Sequence, residues 1–309
     1  MRSSALALAA CILAGAGSAR AAPAGSPWGK DYFPDVPLVT QDGRVVRFYR
    51  DLVEGKHVVI NFIFTRCTKS CPLETANLVR VQRRLGARVG RDVFLYSITL
   101  DAGHDTPEVL KEYAARFHAG EGWLFLGGRR EDIDRIRARL GDRTPIANHS
   151  VGLVLGNDPA GQWTTLSAVD DPGFLATSIE EWMASDPNDH PPVRSYAEAP
   201  RQRSVPGEDL FRIRCAACHA VGGGEGVGPD LAGVTARRDR LWLERWIADP
   251  GKMLDEKDPL ALELLARHRK LPMPALPLTG AEVTDLLSYI ESLSAKVATD
   301  GGERPPVAR

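Results

Sequence analysis

The stretch HVVINFIFTRCTKSCPLE, residues 57–74, joins an apolar run to two cysteines and the start of a helix. Its first half is rich in β-branched and aromatic residues, which is typical of a buried strand. Cys67 and Cys71 follow, and Pro72 is a residue typical of the first turn of a helix. Ligands of open α/β sheets collect at the carboxyl ends of strands, so this stretch predicts both a fold and a site.

Strand and helix patterns alternate on both sides of this stretch, over residues 31–184. That alternation predicts an α/β domain with a substantially parallel sheet. The other expected elements, in chain order, are a hairpin turning at Asp42 and Gly43, a helix ending near Gly86, strand DVFLYSITL, a helix opened by DTPE, strand WLFLGG, helix REDIDRIRARL and a hairpin over about 150–167.

Composition sets broad limits on function. The chain has 309 residues, which is the length of about two domains. Its 39 basic residues are matched by 40 acidic ones, so it has no overall basic field that could hold nucleic acid, and we expect no nucleic-acid partner.

The N-terminus predicts export. Met1 and Arg2 precede an apolar core and a small-residue cleavage site, which is the pattern of a secretory signal over residues 1–21. The core has about 15 residues, short of the roughly 20 that span a bilayer. A lipoprotein box ending at Cys11 is the less favoured alternative, because the apolar core before it would be only a few residues long. We therefore expect a periplasmic, soluble protein whose mature chain has no transmembrane segment.

Removal of the signal leaves two pairs of cysteines, of which the second is in CAACH, residues 215–219. This is the haem-attachment pattern, in which Cys215 and Cys218 form thioethers and His219 ligates iron. A structural zinc site or a redox pair is the alternative. The glycine-rich loop downstream favours haem, because it can wrap the edge of a porphyrin ring.

A haem of this kind needs a second axial ligand, and two methionines compete for the role. Pro272 and Pro274 keep Met273 off a helix and in an extended loop, which suits a thioether that must point at iron. Met253 follows a helical stretch and has the pattern of a packing residue. We therefore predict Met273 as the ligand.

Residues 207–296 resemble a class I cytochrome c domain. The resemblance rests on the leading helix, CAACH, the GPDL segment, Met273 before a proline, and the closing helix LTGAEVTDLLSYIESL. It implies a small all-α domain with one covalent haem c whose iron is bound by His219 and Met273. It also implies that the carbonyl of Pro229 accepts the other ring proton of His219.

The first pair, Cys67 and Cys71, could form a disulfide or hold a metal. If both were helical, their β-carbons would lie about 5 to 6 Å apart, beyond the roughly 3.5 to 4.5 Å of a disulfide. A metal bridges that gap more easily, and two thiolates with an imidazole favour copper. If Cys67 lies in the loop before the helix, a disulfide stays open.

The imidazole is harder to choose, because His57, His104, His118, His149 and His190 are all candidates. His57 is expected at the opposite end of its strand, and His118 at the end of a helix. Spacing alone leaves both His104 and His149 open.

Residues 31–184 resemble the SCO/SenC family of thioredoxin-like copper proteins, through the motifs FTRCTKSCP, LDAGHDTPEVLKEYA and NHSVGLVLG. The resemblance implies a thioredoxin-like fold with Cys67, Cys71 and His149 as copper ligands. It implies that Asp105 supports the site, and it leaves His104 without a role.

The chain departs from the family pattern at Ala102, often a proline, and at Asn148, often an aspartate. Neither position is a ligand, so these departures bear on the surroundings of the site. Residues 185–206 are rich in proline and charge and predict an extended linker, and residues 297–309 predict a disordered tail.

Together these patterns predict an exported copper chaperone for the CuA site of a respiratory cytochrome c oxidase. A covalent haem would exchange single electrons with the copper or thiol site or with the oxidase, so the expected partners are a copper-receiving oxidase subunit and an electron-transfer protein. One alternative is a thiol:disulfide oxidoreductase that uses Cys67 and Cys71. Another is an electron-transfer cytochrome in which the first domain only docks or senses.

Overall fold

The structure is a computed structural model that describes residues 28–142, 144, 151–184 and 205–299. The predicted signal peptide, His149, His190 and nearly all of the predicted linker lie outside the described residues. No helix in the described ranges is both long enough and apolar enough to cross a membrane.

The first part of the chain is a seven-stranded sheet with helices on its faces. Its strands are β1 (Pro37–Thr40), β2 (Val45–Arg47), β3 (His57–Ile63), β4 (Val93–Thr99), β5 (Trp123–Gly127), β6 (Gly152–Asn157) and β7 (Gln162–Ser167). Its helices are α1 (Ser70–Leu85), α2 (Pro107–Phe117), α3 (Arg130–Arg139) and α4 (Pro172–Ala184), with a π-helical turn at Phe48–Val53 and a 3₁₀ turn at Gly86–Arg88.

The strand order is β2-β1-β5-β4-β3-β6-β7. Strands β3, β4 and β5 run parallel to one another, whereas the pairs β1–β2, β1–β5, β3–β6 and β6–β7 are antiparallel. The predicted α/β thioredoxin-like fold is confirmed, but the sheet is mixed. The parallel character is confined to three central strands, because both hairpins add antiparallel strands at the edges.

Strand β3 is buried on both faces, as its apolar run predicts. Val59 and Ile63 pack into one core with α1, α2 and α4, while Val58, Ile60 and Phe62 pack into a second core with α3. This two-residue alternation follows from the pleat of a strand. The cysteines therefore follow a strand that is buried on both faces.

The start of α1 decides the geometry of the cysteines. The helix begins at Ser70, so Cys71 is in its first turn and Cys67 lies in the turn before it. Cys67 and Cys71 therefore do not have the spacing of two residues in one helix, and a disulfide between them is not excluded.

The second part of the chain is helical. Its elements are α5 (Glu208–Leu210), a π-helical turn at Phe211–Cys215, α6 (Val234–Arg237), α7 (Arg240–Ala248), α8 (Pro250–Asp255), α9 (Pro259–Arg267) and α10 (Gly280–Thr299). Helix α10 buries Val283, Leu286, Leu287 and Ile290 against Leu243 and Ile247 of α7. It extends to Thr299, so residues 297–299, assigned to the tail from the sequence, are helical.

The two parts pack against each other. Ala217 and Leu276 of the second part belong to the apolar cluster that also contains Cys67 and Cys71. The guanidinium Nη1 of Arg80, on α1, donates to the carbonyl of Ala216 at 2.7 Å. Contact between the two parts could not be inferred from the linker, and it brings the two cysteine motifs to one interface.

Candidate functional site

Cys67 and Cys71 lie between β3 and α1, with both side chains buried. The backbone N–H of Cys67 donates to the carbonyl of Phe64 at 3.1 Å. The carbonyl of Cys71 accepts hydrogen bonds from the hydroxyls of Thr75 and Tyr113, at 2.8 and 3.4 Å. The backbone of the pair is thus held on both the strand side and the helix side.

The thiols of Cys67 and Cys71 are not joined in a disulfide, and they lie near enough to hydrogen-bond to each other. That hydrogen bond, together with burial, raises the pKa of the Cys71 thiol far above its usual range. Two adjacent thiols can be oxidised to a disulfide, or they can lose their protons and bind a soft ion such as Cu(I). The geometry permits both reactions.

Glu74, on the same face of α1 as Cys71, has an exposed fraction of 0%. Burial raises the pKa of its carboxyl to about 7, hydrogen bonds with Ser70 and Asn61 lower it, and the nearby charge of Cys67 raises it. A carboxylate and two thiolates in one buried space repel one another, so a bound cation would stabilise their ionised forms. Glu74 was not among the residues predicted from the sequence, although a lone carboxylate on a buried helix face was a usable signal.

Asp105 fixes the turn before Cys67. Its carboxylate accepts hydrogen bonds from the backbone N–H of Thr65 at 3.1 Å and from the hydroxyls of Thr65 and Thr99. His104 Nδ1 lies 2.9 Å from the same carboxylate. Asp105 therefore lies where a supporting residue for the cysteine turn is expected.

The structure places two of the candidate histidines away from Cys67. His57 starts β3 at the opposite end of the strand from the cysteines, and its Nδ1 lies 3.3 Å from the carbonyl of Asp92. His118 is the left-handed cap at the end of α2. His149, the ligand implied by the family resemblance, lies outside the described residues.

His104 groups with acidic residues rather than with the cysteines. One ring nitrogen of His104 and one carboxylate oxygen from each of Asp101 and Asp105 all lie within 4.8 Å of one another. Within the described ranges, no comparable cluster of His, Cys, Asp or Glu includes Cys67 or Cys71. The described part of the chain therefore supplies no third His, Cys, Asp or Glu ligand atom within 4.8 Å of this pair.

A cleft between the two parts of the chain reaches Cys67. Arg66 and Lys69 line it from the cysteine turn, Arg214 from the second part, and Val151 from the start of the segment before β6. An ion or a partner side chain can approach Cys67 through this cleft.

The second cysteine motif follows the π-helical turn at Phe211–Cys215. Burial raises the pKa of the thiols of both Cys215 and Cys218 to about 12. Burial also lowers the pKa of His219, although a hydrogen bond to Pro229 acts in the opposite direction. These shifts favour the neutral form of all three side chains.

His219 is oriented by its backbone partner. Its Nδ1 lies 2.9 Å from the carbonyl of Pro229, so Nδ1–H donates and Nε2 carries the free lone pair. Gly228 passes so close to the ring that a β-carbon there would lie 2.6 Å from His219 Cε1. The backbone thus packs directly against the imidazole, as it must where a flat ring is clamped in a fixed orientation.

Met273 lies across the same cavity as His219, in the segment between Pro272 and Pro274. The other lining is largely apolar, with Trp246, Leu254, Leu264, Leu265 and Leu271. Met253 is 1% exposed in α8 and is not part of this lining, which suits a packing residue. Two thiols, one oriented imidazole, one thioether and an apolar wall form a donor set that fits a covalently attached haem.

Two residues that the sequence analysis did not choose also line this cavity. Pro72 reaches it from the first part of the chain, and His268 reaches it from the end of α9. Pro72 directly follows Cys71, so the residue next to the first cysteine pair forms part of the wall of the second site. No local pattern marks either contact, because both depend on how the two parts pack.

The chain matches two family models, SCO1/SenC over residues 29–184 and Cytochrome c over residues 204–294. It is 35% identical over 89 residues to the "SCO1 protein homolog" of Bacillus subtilis, covering 28% of this chain and 45% of that protein. It is 44% identical over 110 residues to the "Cytochrome c" of Guizotia abyssinica, covering 33% of this chain and 99% of that protein.

The chain spans about half the length of the curated SCO-type relatives it matches. Among solved structures it is similar to Arabidopsis thaliana ScoI with copper bound, at 22% identity and a TM-score of 0.42. That match covers 50% of this chain and 99% of the Arabidopsis chain.

Proposed function

Since the chain belongs to the SCO1/SenC family and continues into a cytochrome c domain, we propose that it is an exported copper-binding protein that supports cytochrome oxidase assembly. In this proposal Cys67 and Cys71 bind the copper that is delivered to the CuA site of the oxidase. A haem c attached at Cys215 and Cys218 exchanges single electrons with the copper or thiol site.

The observation that carries this proposal is the position of Pro72. It follows Cys71 directly, and it lines the same cavity as Cys218 and His219. The residue next to the proposed copper ligand Cys71 therefore forms part of the wall of the proposed haem site. When bound, haem supplies a one-electron couple at this wall, and a one-electron couple matches copper better than it matches the two-electron disulfide.

The chain's own residues account for copper binding as follows. Cys67 and Cys71 each lose a proton to become thiolate ligands, and the hydrogen bond and burial that raise the pKa of Cys71 make copper compete with protons. Copper affinity should therefore rise with pH. Asp105 holds the turn that carries Cys67, and the cleft at Cys67 gives a partner protein access.

The proposed third ligand is His149. Val151 lines the cleft that reaches Cys67, and two residues of extended chain span at most about 7 Å. The described residues supply no third His, Cys, Asp or Glu donor atom within 4.8 Å of the pair. Both observations support a ligand from residues 145–150.

The test is the copper bound per haem in reduced protein, measured for wild type and for His149→Ala. We expect about one copper per chain in the wild type. In the variant we expect copper binding to be weaker by at least about 10- to 100-fold, which is the loss typical when a residue that supports a metal ligand is removed. His104→Ala tests the rival histidine, and His118→Ala is the matched control on the same domain. Both of these variants should bind copper as the wild type does.

Retention of full copper affinity in His149→Ala, with loss in His104→Ala, would move the third ligand to His104. Absence of copper from the wild type would overturn the carrier function itself. In that case the second candidate takes its place: a thiol:disulfide oxidoreductase, favoured by two adjacent reduced thiols at a helix start. It predicts that cycling between dithiol and disulfide persists in His149→Ala.

A further inference from the structure

The haem cavity contains a second imidazole that the proposed function does not use. His268 caps the end of α9 and lines the cavity together with His219 and Met273. Its Nε2 is buried and makes no hydrogen bond to any group in the part of the chain that the structure describes. Buried polar atoms normally have partners, so this nitrogen needs an explanation.

His268 lies close to the proximal ring. Burial is the main cause of the lowered pKa of His219, and the charge of His268 lowers that pKa further. His268 also lines the neighbouring cavity, which shares His219 and Met273 with the first. The two imidazoles and the thioether therefore surround one space.

The two residues that follow His268 have strained backbone conformations, which indicates that the surrounding structure holds this turn in place. Arg269 and Lys270 both adopt left-handed backbone conformations, with φ of 55° and 56°. Such conformations cost free energy in residues other than glycine, and they persist only where the surrounding structure holds them. The guanidinium Nη1 of Arg269 donates to the carbonyl of Ala115 on α2 at 3.0 Å, so the first domain anchors this turn.

We propose that His268 is a second distal ligand for the haem iron, which binds through Nε2 when the thioether of Met273 is not bound. The inference rests on the proposed function, because it requires haem attached at Cys215 and Cys218. Imidazole is the harder donor and thioether the softer one, so His268 competes best for ferric iron and Met273 for ferrous iron. The choice of ligand sets the potential, because His/Met ligation raises it.

The test compares wild type, Met273→Leu, His268→Ala and the double variant, all as full-length protein with haem attached. Leucine replaces methionine at similar volume, so packing is largely retained. We expect Met273→Leu to keep six-coordinate, low-spin ferric haem with a lower midpoint potential than the wild type. We expect the double variant to become high-spin. Leu264→Ala, introduced with Met273→Leu, is the control, because it also truncates a lining residue and should leave the haem low-spin.

A high-spin Met273→Leu protein with the same spectrum as the double variant would overturn the proposal and assign His268 another partner, such as a haem propionate. Electron paramagnetic resonance of wild-type ferric protein is an independent measurement. We expect a low-spin species with imidazole at the distal position, absent from His268→Ala, and its absence from the wild type would contradict the proposal. A wild-type chain without covalent haem would instead refute the proposed function, and this is visible as loss of haem stain on a denaturing gel.

Discussion

The two cysteine pairs of this protein differ in what surrounds them more than in their spacing. Cys67 and Cys71 flank the start of a 16-residue helix at the end of a buried strand, and their thiols hydrogen-bond to each other. Cys215 and Cys218 follow a short helical turn, next to a histidine whose ring is fixed by a carbonyl. The first arrangement suits a reversible ligand shared by two sulfurs, and the second suits permanent attachment to a ring.

The electrostatics of the two pairs differ in the same way. The raised pKa of Cys71 comes first from its hydrogen bond to Cys67. The raised pKa of Cys218 comes from burial, and the charge of Arg80 partly opposes it. The main perturbation is therefore a neighbouring thiol for Cys71 and burial for Cys218.

The strongest test of this difference between the two sites removes one cysteine pair at a time. Cys67→Ser should abolish copper binding and leave covalent haem unchanged, because haem is attached 148 residues later in the sequence, at Cys215. Replacement of Cys215 and Cys218 by alanine should abolish covalent haem and leave copper binding at about its wild-type level. Metal analysis and haem staining of purified protein measure both outcomes. Loss of copper from the haem-free protein would show that the sites are not separable.

Glu74→Gln tests the buried charge beside the first pair. The folded carboxyl has a pKa of about 7 against an ordinary value of 4.5, and this difference corresponds to roughly 3 kcal/mol. Because the folded pKa is raised, the contribution of this group to stability is fully present below pH 4.5 and is lost as the pH rises through 7. The variant should therefore gain stability relative to the wild type as the pH rises.

Urea unfolding of the copper-free, reduced protein at pH 5 and pH 8 measures this difference. Glu181→Gln is the control, because Glu181 is exposed on α4. A gain of equal size at both pH values would mean that the charge of Glu74 does not destabilise the folded protein.

Gly228→Ala tests the close packing against His219. The added β-carbon would lie 2.6 Å from Cε1, so the ring or the loop must shift, at a cost of about 1 to 3 kcal/mol. We expect lower stability of the haem-bound protein and an altered haem spectrum. Gly280→Ala is the matched control, since its added β-carbon would meet nothing within 4 Å. Equal effects of the two substitutions would show that the contact is not restrictive.

Arg80→Ala tests the contact between the two parts and should have the smallest effect. Removal of its hydrogen bond to the carbonyl of Ala216 should cost about 1 kcal/mol. We expect the urea midpoint, followed at the haem absorption band, to fall slightly. Arg83→Ala, at an exposed position of the same helix, should leave the midpoint unchanged. No difference between these variants would argue against packing between the two parts in solution.

The sequence predicted most of what depends on local pattern. The strand at 57–63, the hairpins, the helix of the closing segment and the haem motif all follow from periodicity or from short motifs. The sequence placed Pro72 in the first turn of α1 but left open whether Cys67 lies in the helix or before it, because no strong capping residue precedes Ser70: the cap is Lys69, without a side-chain hydrogen bond. The directions of the edge strands were not fixed by pattern, because a run of apolar residues does not specify its neighbour.

The positions of Pro72 and His268 lay beyond sequence reasoning for a different reason. Each becomes significant only when residues far apart in the chain come together, as when Pro72 and His219 line one cavity. A linker with no fixed conformation gives no information on such contacts. The proximity of the two sites is therefore a property of tertiary packing, and so is the coupling proposed for them.

The most direct test of that coupling is flash photoreduction of the haem in protein that carries Cu(II) at Cys67 and Cys71. We predict that, after the flash, the electron redistributes between the two sites with a first-order rate constant that does not depend on protein concentration. This phase should be absent from the copper-free protein and from Cys67→Ser. A rate that rises in proportion to protein concentration, or no copper-dependent phase at all, would contradict electron exchange within one chain.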